Sequence, residues 1–150
     1  MRTTGEHEPA KVELGSFLGN LPELLTGLLA DGRCLALIVD FDDGRYVQVL
    51  IDERSILAEV ISNLHAPEEG ALTSDQEEAL DGAGWLHPEP NGNPNWHREF
   101  TGLGEVFLAA DTLGEACRRI LGKGEGPRPE MVSLRTFEMN GASRVRDRSA

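Results

Sequence analysis

Residues 34–64 read CLALIVDFDDGRYVQVLIDERSILAEVISNL, and three apolar runs in this stretch are separated by two short polar turns. The first turn contains Asp43-Gly44, a pair typical of hairpins because glycine tolerates a positive φ angle. The second turn, at 52–54, is fully charged. The stretch therefore predicts three consecutive antiparallel strands, at 34–41, 45–52 and 55–64.

The middle strand has two faces of different character. Val47, Val49 and Ile51 point to one side and are uniformly apolar, because successive side chains of a strand alternate between the faces of a sheet. Tyr46 and Gln48 point to the other side, which is mixed. An antiparallel sheet can present such a face to water or to a partner. We expect helices on the Val47 side only.

A helix is predicted ahead of the strands. Apolar residues recur every three or four positions from Phe17 to Leu29, which indicates one face of a helix. Pro22 fits the first turn of a helix, where no N–H is needed, and Gly32 fits the left-handed residue that follows a helix end. The helix is expected over 21–31, with an earlier turn allowed around 14–18.

A second helix and a polar loop follow the strands. Thr73 and Gln76 have the spacing of a capping box, and the helix that they begin is expected to stop at Gly84. Trp85 comes directly afterwards, and Trp96 lies beyond a loop rich in Pro, Asn and Gly. One more strand and one long apolar helix are predicted after this loop, at 95–101 and 103–121.

The order of the elements indicates the fold class. Strands and helices are segregated, so we predict an α+β fold with an antiparallel sheet flanked by helices, in the order α-β-β-β-α-β-α. A flexible N-terminus is expected at 1–11 and a single domain at 12–124. Residues 125–150 begin with a Gly- and Pro-rich linker. Beyond the linker, 131–139 is either one further strand or part of a disordered tail.

The composition excludes several classes of partner. The chain carries a net charge of −12, with 26 acidic against 14 basic residues. Nucleic-acid binding depends on Lys and Arg, and anionic membrane surfaces attract basic segments, so neither is an expected partner. The 2 cysteines stand in apolar surroundings, which is typical of a reducing compartment. Residues 1–10 lack the apolar segment of a signal peptide, and we expect a cytoplasmic protein.

The sequence contains no recognisable motif for a cofactor, a metal or a catalytic group. The Gly-Lys pair at 122–123 matches the end of a phosphate-binding loop, but Cys117 stands where that motif requires a glycine. We therefore expect no cofactor, no metal and no catalytic residue. The alternative is an enzyme that uses His87, His97 and Glu99 around the polar loop.

The two tryptophans bracket the polar loop, and two roles fit them. A Trp side chain buries on the order of 150–250 Å². Trp85 and Trp96, with Gly84 at the helix end, are therefore expected as structural anchors that fix both ends of the loop. In the other interpretation, Trp96 meets a partner together with Tyr46 or Gln48, because Trp and Tyr are favoured anchors at interfaces.

Five pieces of the sequence occur in an order known from one family. They are YVQVLI (46–51), LAEVISN (57–63), LTSDQEEALDGAGW (72–85), NPNWHREF (93–100) and a Leu-rich helix. As a set they resemble the actinobacterial TY-Chap domains, relatives of type III secretion chaperones and of YbjN. The resemblance covers the chain from Phe17 to Leu121. Ala83 departs from it, because a Leu is common before the Gly-Trp pair.

The resemblance implies both a fold and a role. The fold is an antiparallel sheet flanked by helices, as in type III secretion chaperones. The role is non-enzymatic: a chaperone-like adaptor that holds a polypeptide client, often as a homodimer. The family positions assigned to partner binding are Tyr46, Gln48, Glu59, Asn63, Asn95 and Trp96.

A different role is compatible with the same charge. An acidic protein of this size can act as an immunity-type inhibitor that covers a basic enzyme. Its binding would weaken steeply with salt, because charge steering supplies the affinity. A module that buries apolar surface of a client would be less sensitive to salt.

Overall fold

The computed structural model describes residues 10–64, 70–124 and 128–138. The strands are β1 (Ala10–Glu13), β2 (Leu35–Asp40), β3 (Tyr46–Ile51), β4 (Ser55–Val60), β5 (Trp96–Thr101) and β6 (Met131–Glu138). The helices are α1 (Leu14–Ala30), α2 (Ser74–Gly82) and α3 (Val106–Glu115). A short 3-10 turn, Leu103–Glu105, precedes α3, and a π-helical turn, Ala116–Ile120, continues it.

The strands form one antiparallel sheet in the order β1-β6-β2-β3-β4-β5. β2, β3 and β4 are the three consecutive strands predicted from 34–64. In the middle of the sheet, Val47 lies opposite Val39 on one side and opposite Val60 on the other. The prediction of an α+β fold with an antiparallel sheet flanked by helices is confirmed.

The C-terminal strand lies inside the sheet. β6 pairs with all of β2, with Leu134 opposite Val39, and pairs with β1 on its other side. Of the two options for 131–139, the strand is therefore the one that the structure shows, and the sheet continues past the expected domain end at residue 124. β1 starts at Ala10, inside the segment expected to be flexible. The remaining parts of both predicted ends lie outside the described residues: 1–9, 125–127 and 139–150.

α1 is longer than predicted. It begins at Leu14 rather than at residue 21, so Pro22 lies in its interior and not in its first turn. An interior proline costs about 3 kcal/mol, whereas each fully buried large apolar side chain contributes about 1.5–3 kcal/mol. Burial outweighs the proline because a whole stripe is buried: Leu14, Phe17, Leu18, Leu21, Leu25, Leu28 and Leu29. No helix in the described ranges, α1 included, is long and apolar enough to cross a membrane.

The ends of α2 form as predicted. The capping box of Thr73 and Gln76 is present in both directions. After the helix, Gly84 has a φ of +94°, and the N–H of Trp85 donates to a carbonyl of the last turn at 3.0 Å. These two caps fix the point at which the chain leaves α2 and enters the polar loop.

One face of the sheet is covered by the helices. Val47, Val49 and Ile51 are at most 2% exposed and share one apolar core with side chains of α1 and α3, as the alternation predicts. Leu80 of α2 belongs to the same core. The three helices therefore lie on the same side of the sheet.

The β2–β3 turn is tied to the end of the last helical segment. Lys123 Nζ lies 2.8 Å from Asp43 Oδ2, and the backbone N–H of Arg45 donates to Oδ1 at 3.0 Å. Burial raises the pKa of Asp43, but these two donors outweigh it and hold the pKa below its usual value. The stabilisation is therefore present above the pKa of the unfolded carboxyl and is lost as the pH falls through the lower folded value.

Cys117 should be inert in the folded protein. Burial raises the pKa of its thiol to about 12, against an opposing effect of the Arg118 charge. Because the thiolate is the reactive form, native protein treated with iodoacetamide at mildly alkaline pH should be modified only at the half-buried Cys34. Intact-mass spectrometry should show a single adduct on the native chain and a second one after unfolding. A Cys34→Ser variant provides the control, and rapid labelling of this variant in its native state would contradict the burial.

Candidate functional site

The face of the sheet opposite the helices is the first candidate surface, and we call it the open face. Residues paired directly across an antiparallel sheet point to the same side. One such row crosses five strands on this face: Arg135, Ile38, Gln48, Glu59 and His97. No member of this row belongs to the apolar core beneath the helices. The open face is the mixed face expected from Tyr46 and Gln48.

An apolar band runs beside that row. It consists of Phe137, Ala36, Leu50 and Leu57, each directly opposite the next on neighbouring strands. Ala36 and Leu50 are 4% and 7% exposed, whereas Phe137 and Leu57 at the two ends are half-buried. No described helix covers this band, so its ends remain accessible from solvent.

Five polar side chains form a network at one corner of the open face, which we call the polar corner. At its centre is Glu59, which is only 1% exposed. Its Oε1 accepts from Gln48 Nε2 at 2.7 Å and from Asn95 Nδ2 at 3.0 Å. Its Oε2 accepts from Asn93 Nδ2 at 3.0 Å, and the same Asn95 amide lies 3.3 Å from the Tyr46 hydroxyl. Charge-assisted bonds of this kind are the stronger ones, so the corner is held rigidly.

Local structure places these groups together. Gln48 and Glu59 face each other across β3 and β4. The polar loop folds back beside β5, because Leu86 and His97 exchange backbone hydrogen bonds at 2.8 and 3.1 Å. The loop then delivers Asn93 and Asn95 to the carboxylate just before β5 begins.

The structure brings together four of the six residues assigned to partner binding: Tyr46, Gln48, Glu59 and Asn95. Asn63 lies elsewhere. Its amide accepts from the Leu72 N–H at 2.6 Å and donates to the Leu72 carbonyl at 3.0 Å. Trp96 is also elsewhere, because it is the strand neighbour of His97 and therefore points to the opposite face of the sheet. Of the four, only Tyr46 and Gln48 are partly accessible.

The two tryptophans and Gly84 lie where structural anchors are expected. Both Trp85 and Trp96 are 2% exposed and belong to the apolar core. Arg98 stabilises the C-terminal end of α2, since its Nη1 donates to the Ala83 carbonyl at 3.0 Å. A Cβ at Gly84 would lie 3.4 Å from this guanidinium, so the position favours glycine by both space and φ.

A second candidate surface is a concave groove between α2 and the polar loop, which we call the acidic groove. Its volume is about 300 Å³ and its lining consists of Ser74, Glu77, Glu78, Asp81, His87 and Trp96. The His87 ring lies against the Trp96 ring with centroids 4.6 Å apart and ring planes tilted by 43°. His87 Nε2 also donates to Asp81 Oδ1 at 2.8 Å. The groove therefore combines an aromatic wall with three carboxylates.

The residues considered for an enzyme do not converge. His87 contacts Trp96, on the helix side of β5, whereas His97 and Glu99 point to the open face. His97 Nδ1 is engaged by the Asn95 carbonyl at 2.9 Å, and Glu99 is exposed. Within the described ranges, no group of three or more His, Cys, Asp or Glu side chains is arranged to hold a metal ion.

Sequence reasoning missed three contributors to these surfaces. Asn93 was part of a quoted family piece, but nothing in its spacing indicated that it would reach Glu59. Phe137 and Arg135 come from β6, whose position beside β2 could not be read from a short apolar pattern. A search for polar residues opposite the buried Glu59 in pairing register would have found Gln48 and His97, but neither Asn93 nor Asn95.

Glu59 should matter more for stability than an exposed carboxylate on the same face. Glu59→Gln turns one acceptor oxygen into a donor that faces the donors of neighbouring amides, and an unsatisfied buried group costs about 1–3 kcal/mol. We expect the free energy of unfolding in urea to fall by about 2 kcal/mol. The matched variant Glu99→Gln should change it by less than about 0.5 kcal/mol. Equal urea midpoints for the two variants would contradict the role of the network.

The sequence was compared with protein-family models, curated proteins and solved structures. No significant match was found among the curated proteins or among the solved structures. One family model matches residues 14–136, from the start of α1 into β6, and thus includes the polar corner, the apolar band except Phe137, and the acidic groove. Its description is "T3SS (YopN, CesT) and YbjN peptide-binding chaperone 3". The chain therefore belongs to this TY-Chap family of peptide-binding chaperones.

Proposed function

We propose that this chain is a non-enzymatic, chaperone-like adaptor that holds an extended segment of a polypeptide client on the open face. The family supports peptide binding in general. The observation that supports this surface is the apolar band lying directly beside the polar corner on a sheet face that no described helix covers.

The two parts of the surface suit the two parts of a polypeptide. Apolar client side chains can cover Leu57 and Phe137, and burial of apolar area yields roughly 25 cal/mol per Å². The half-buried Tyr46 and Gln48 offer a hydroxyl and an amide to the client backbone. Because Glu59 already fixes Gln48, little side-chain freedom is lost on binding, which favours affinity.

Strand addition at the β5 edge is less favourable than binding on the face. Leu86 occupies this edge at His97, and the Glu105 carboxylate accepts from the Thr101 N–H at 2.6 Å. Only the backbone of Glu99 remains between these two obstacles. A client strand would find too few free groups there to pair along its length.

The remaining parts of the proposal concern location and partners. A cytoplasmic protein with no cofactor, no metal and no catalytic residue fits a role in which binding is the activity. The net charge of −12 disfavours nucleic acid and anionic membranes as partners.

The proposal includes a homodimer, formed through the start of the last helical segment. Phe107 is 70% exposed and Leu103 is 55% exposed, although both lie at the helical spacing of the apolar residues in this segment. Large apolar side chains that remain exposed together are typical of an interface. This surface lies on the helix side, so pairing there would leave the open face free for a client.

Client binding can be tested with an array of random-sequence peptides. We expect the double variant Leu57→Ser with Phe137→Ser to lose about tenfold in affinity for peptides that bind the native chain, a change equivalent to about 1.4 kcal/mol. The matched control is Leu24→Ser with Leu108→Ser, which removes two exposed leucines of α1 and α3, on the helix side of the sheet. Unchanged urea midpoints would confirm that both variants fold, and equal binding by both variants would rule out the open face.

The same array separates a client-binding module from an inhibitor of a basic enzyme. Binding that depends on the apolar band should persist in high salt, because screening acts on charges and not on apolar burial. Loss of all binding in high salt would favour the inhibitor.

Dimer formation can be tested by sedimentation velocity. Phe107→Glu should convert the dimer to a monomer, because a buried unpaired charge at an interface is costly. Asp75→Asn, a change at an exposed position of α2 away from this surface, should leave the dimer intact. A native chain that sediments as a monomer at micromolar concentration would refute this part of the proposal.

A further inference from the structure

We propose that residues 139–150 fold back across the apolar band and cover it until a client displaces them. We call these residues the basic segment, because their only charged side chains are three arginines and one aspartate: Arg144, Arg146, Arg148 and Asp147. The docking depends on the band alone, whereas the competition with a client rests on the proposed function. The match to the family model ends at residue 136, before the basic segment begins.

The basic segment begins beside the apolar band. Phe137, at one end of the band, is followed by Glu138, the last residue of β6. The guanidinium carbon of Arg135 lies 6.0 Å from the centre of the Phe137 ring and covers part of it. The chain therefore leaves the sheet one residue after an aromatic side chain of the open face.

The open face is the side with room for this segment. Residues 140–141 are Asn-Gly, a pair typical of tight turns, so we expect the chain to reverse direction after β6. The helix side of the sheet is filled by the apolar core. At its edges, β6 is paired with β2 and, from Met131 to Leu134, with β1. A hairpin along the remaining positions would place Arg146 opposite Arg135, and like charges opposite each other are destabilising.

The far end of the band carries charges of the opposite sign. Glu99 lies directly opposite Leu57, points to the open face and is exposed. Glu53 is exposed in the turn between β3 and β4, where the carboxylates of Asp52 and Glu53 outnumber the single cation, Arg54. Neither Glu53 nor Glu99 forms an ion pair with a described residue. Arginine side chains can reach these carboxylates while their stems cover the apolar side chains.

The basic segment is long enough to reach Glu99. Four strand spacings separate β6 from β5, which amounts to about 19 Å at about 4.8 Å per spacing. An extended chain spans up to about 3.3 Å per residue, so the eight residues from 139 to 146 span up to about 26 Å. The turn at 140–141 shortens this reach, and Arg148 supplies two further residues. The arginines therefore fall over the far end of the band.

A segment docked in this way acts as a tethered competitor. Its effective concentration at the band is on the order of millimolar, because a short stretch of chain joins the two. Client affinity is then reduced in proportion to the fraction of molecules in which the band is free. The segment has few apolar side chains, chiefly Met139 and Val145, so a client that buries more apolar area displaces it.

The first measurement locates the segment in the 150-residue chain without any client. Cys34→Ser removes the half-buried thiol, Ser149→Cys carries a nitroxide label, and NMR compares the methyl signals of Leu57 and Leu108. Leu57 lies on the open face, whereas Leu108 is exposed on the helix side. We expect the label to broaden the Leu57 signal strongly and the Leu108 signal hardly at all. Equal broadening of both signals would overturn the docking.

Matched variants of the labelled chain identify the charges that hold the segment. The segment variant neutralises its three arginines: Arg144→Gln, Arg146→Gln and Arg148→Gln. The control changes the charge equally at three exposed arginines elsewhere: Arg118→Gln, Arg119→Gln and Arg128→Gln. We expect the selective broadening of Leu57 to disappear in the segment variant and to persist in the control. Glu53→Gln with Glu99→Gln should act like the segment variant, because it removes the partner charges. Selective broadening that survives in the segment variant would contradict the inference.

A mixing experiment determines which copy of the chain supplies the segment. Labelled chain without isotope enrichment is mixed with enriched chain that carries no label. We expect the Leu57 signal of the enriched chain to stay sharp, because each segment covers its own band. Broadening of Leu57 in this mixture would assign the cover to a second copy and overturn the inference.

The random-sequence peptide array tests the competition. If the segment covers the band in about nine molecules of ten, the segment variant should bind peptides about tenfold more tightly than the native chain. The control variant should bind like the native chain. The best-binding peptide should also abolish the selective broadening of Leu57 in the labelled native chain.

The outcomes separate this inference from the proposed function. If the label broadens Leu57 selectively but no peptide binds any variant, the docking stands and the proposed function fails together with the competition. If peptides bind the native chain and the segment variant equally, the inference is overturned and the proposed function stands. A peptide that binds without restoring the Leu57 signal would likewise show that client and segment occupy different surfaces.

Discussion

All helices described here lie on one side of a six-stranded sheet, and this one-sidedness governs the rest of the molecule. It follows from the strict alternation of β3, where Val47, Val49 and Ile51 are nearly inaccessible. The second face of such a sheet receives no helix, so other groups must shield its apolar side chains from water. Here it is only partly closed, by its own long side chains and by a loop at one corner. What remains is a surface with apolar and polar halves, which is the physical basis for a binding role.

In the polar corner, hydrogen bonds offset the cost of burying the Glu59 carboxylate, and the same bonds fix the position of the polar loop. Removing Glu59 from water is costly unless its oxygens are bonded, and three amides supply those bonds. Two of the donors belong to the polar loop, so the loop and the sheet hold each other in place. The loop in turn carries His87 to the opposite side of β5. One network therefore positions groups on both candidate surfaces.

The sequence predicted the elements with strong local patterns. The Asp43-Gly44 hairpin, the Thr73 capping box and the glycine stop at Gly84 each have a mechanism that acts within a few residues, and each is present. The predictions from sequence were wrong or incomplete where contacts between distant parts of the chain determine the structure. Pro22 lies inside α1 because a long apolar stripe outweighs its local preference, and β1 is too short to show any alternation before it meets β6. Phe107 lies at the helical spacing of its apolar neighbours yet is exposed, since such spacing indicates a helix but not which side chains are covered.

The candidate site was likewise predictable only where the sequence carried a recognisable signal. Tyr46, Gln48, Glu59 and Asn95 were singled out by the family resemblance, and the structure brings them together. The residues alone could not have grouped them, because a hydrogen-bond network between a strand and a loop leaves no periodic signal. The pairing of Glu59 with Asn93 and the concave shape beside Trp96 both depend on how the loop folds back, and no local pattern in the sequence encodes that path.

The position of β6 has a consequence for the way the protein is made. The first strand of the described chain has only β6 as its neighbour in the sheet, and β6 is the last described strand to leave the ribosome. Closing so long a stretch of chain is entropically unfavourable and slow. During synthesis, the edge of β2 that β6 will cover stays bare and able to pair with other strands. The nascent chain therefore passes through a period of vulnerability to aggregation that ends only when its C-terminal portion is inserted.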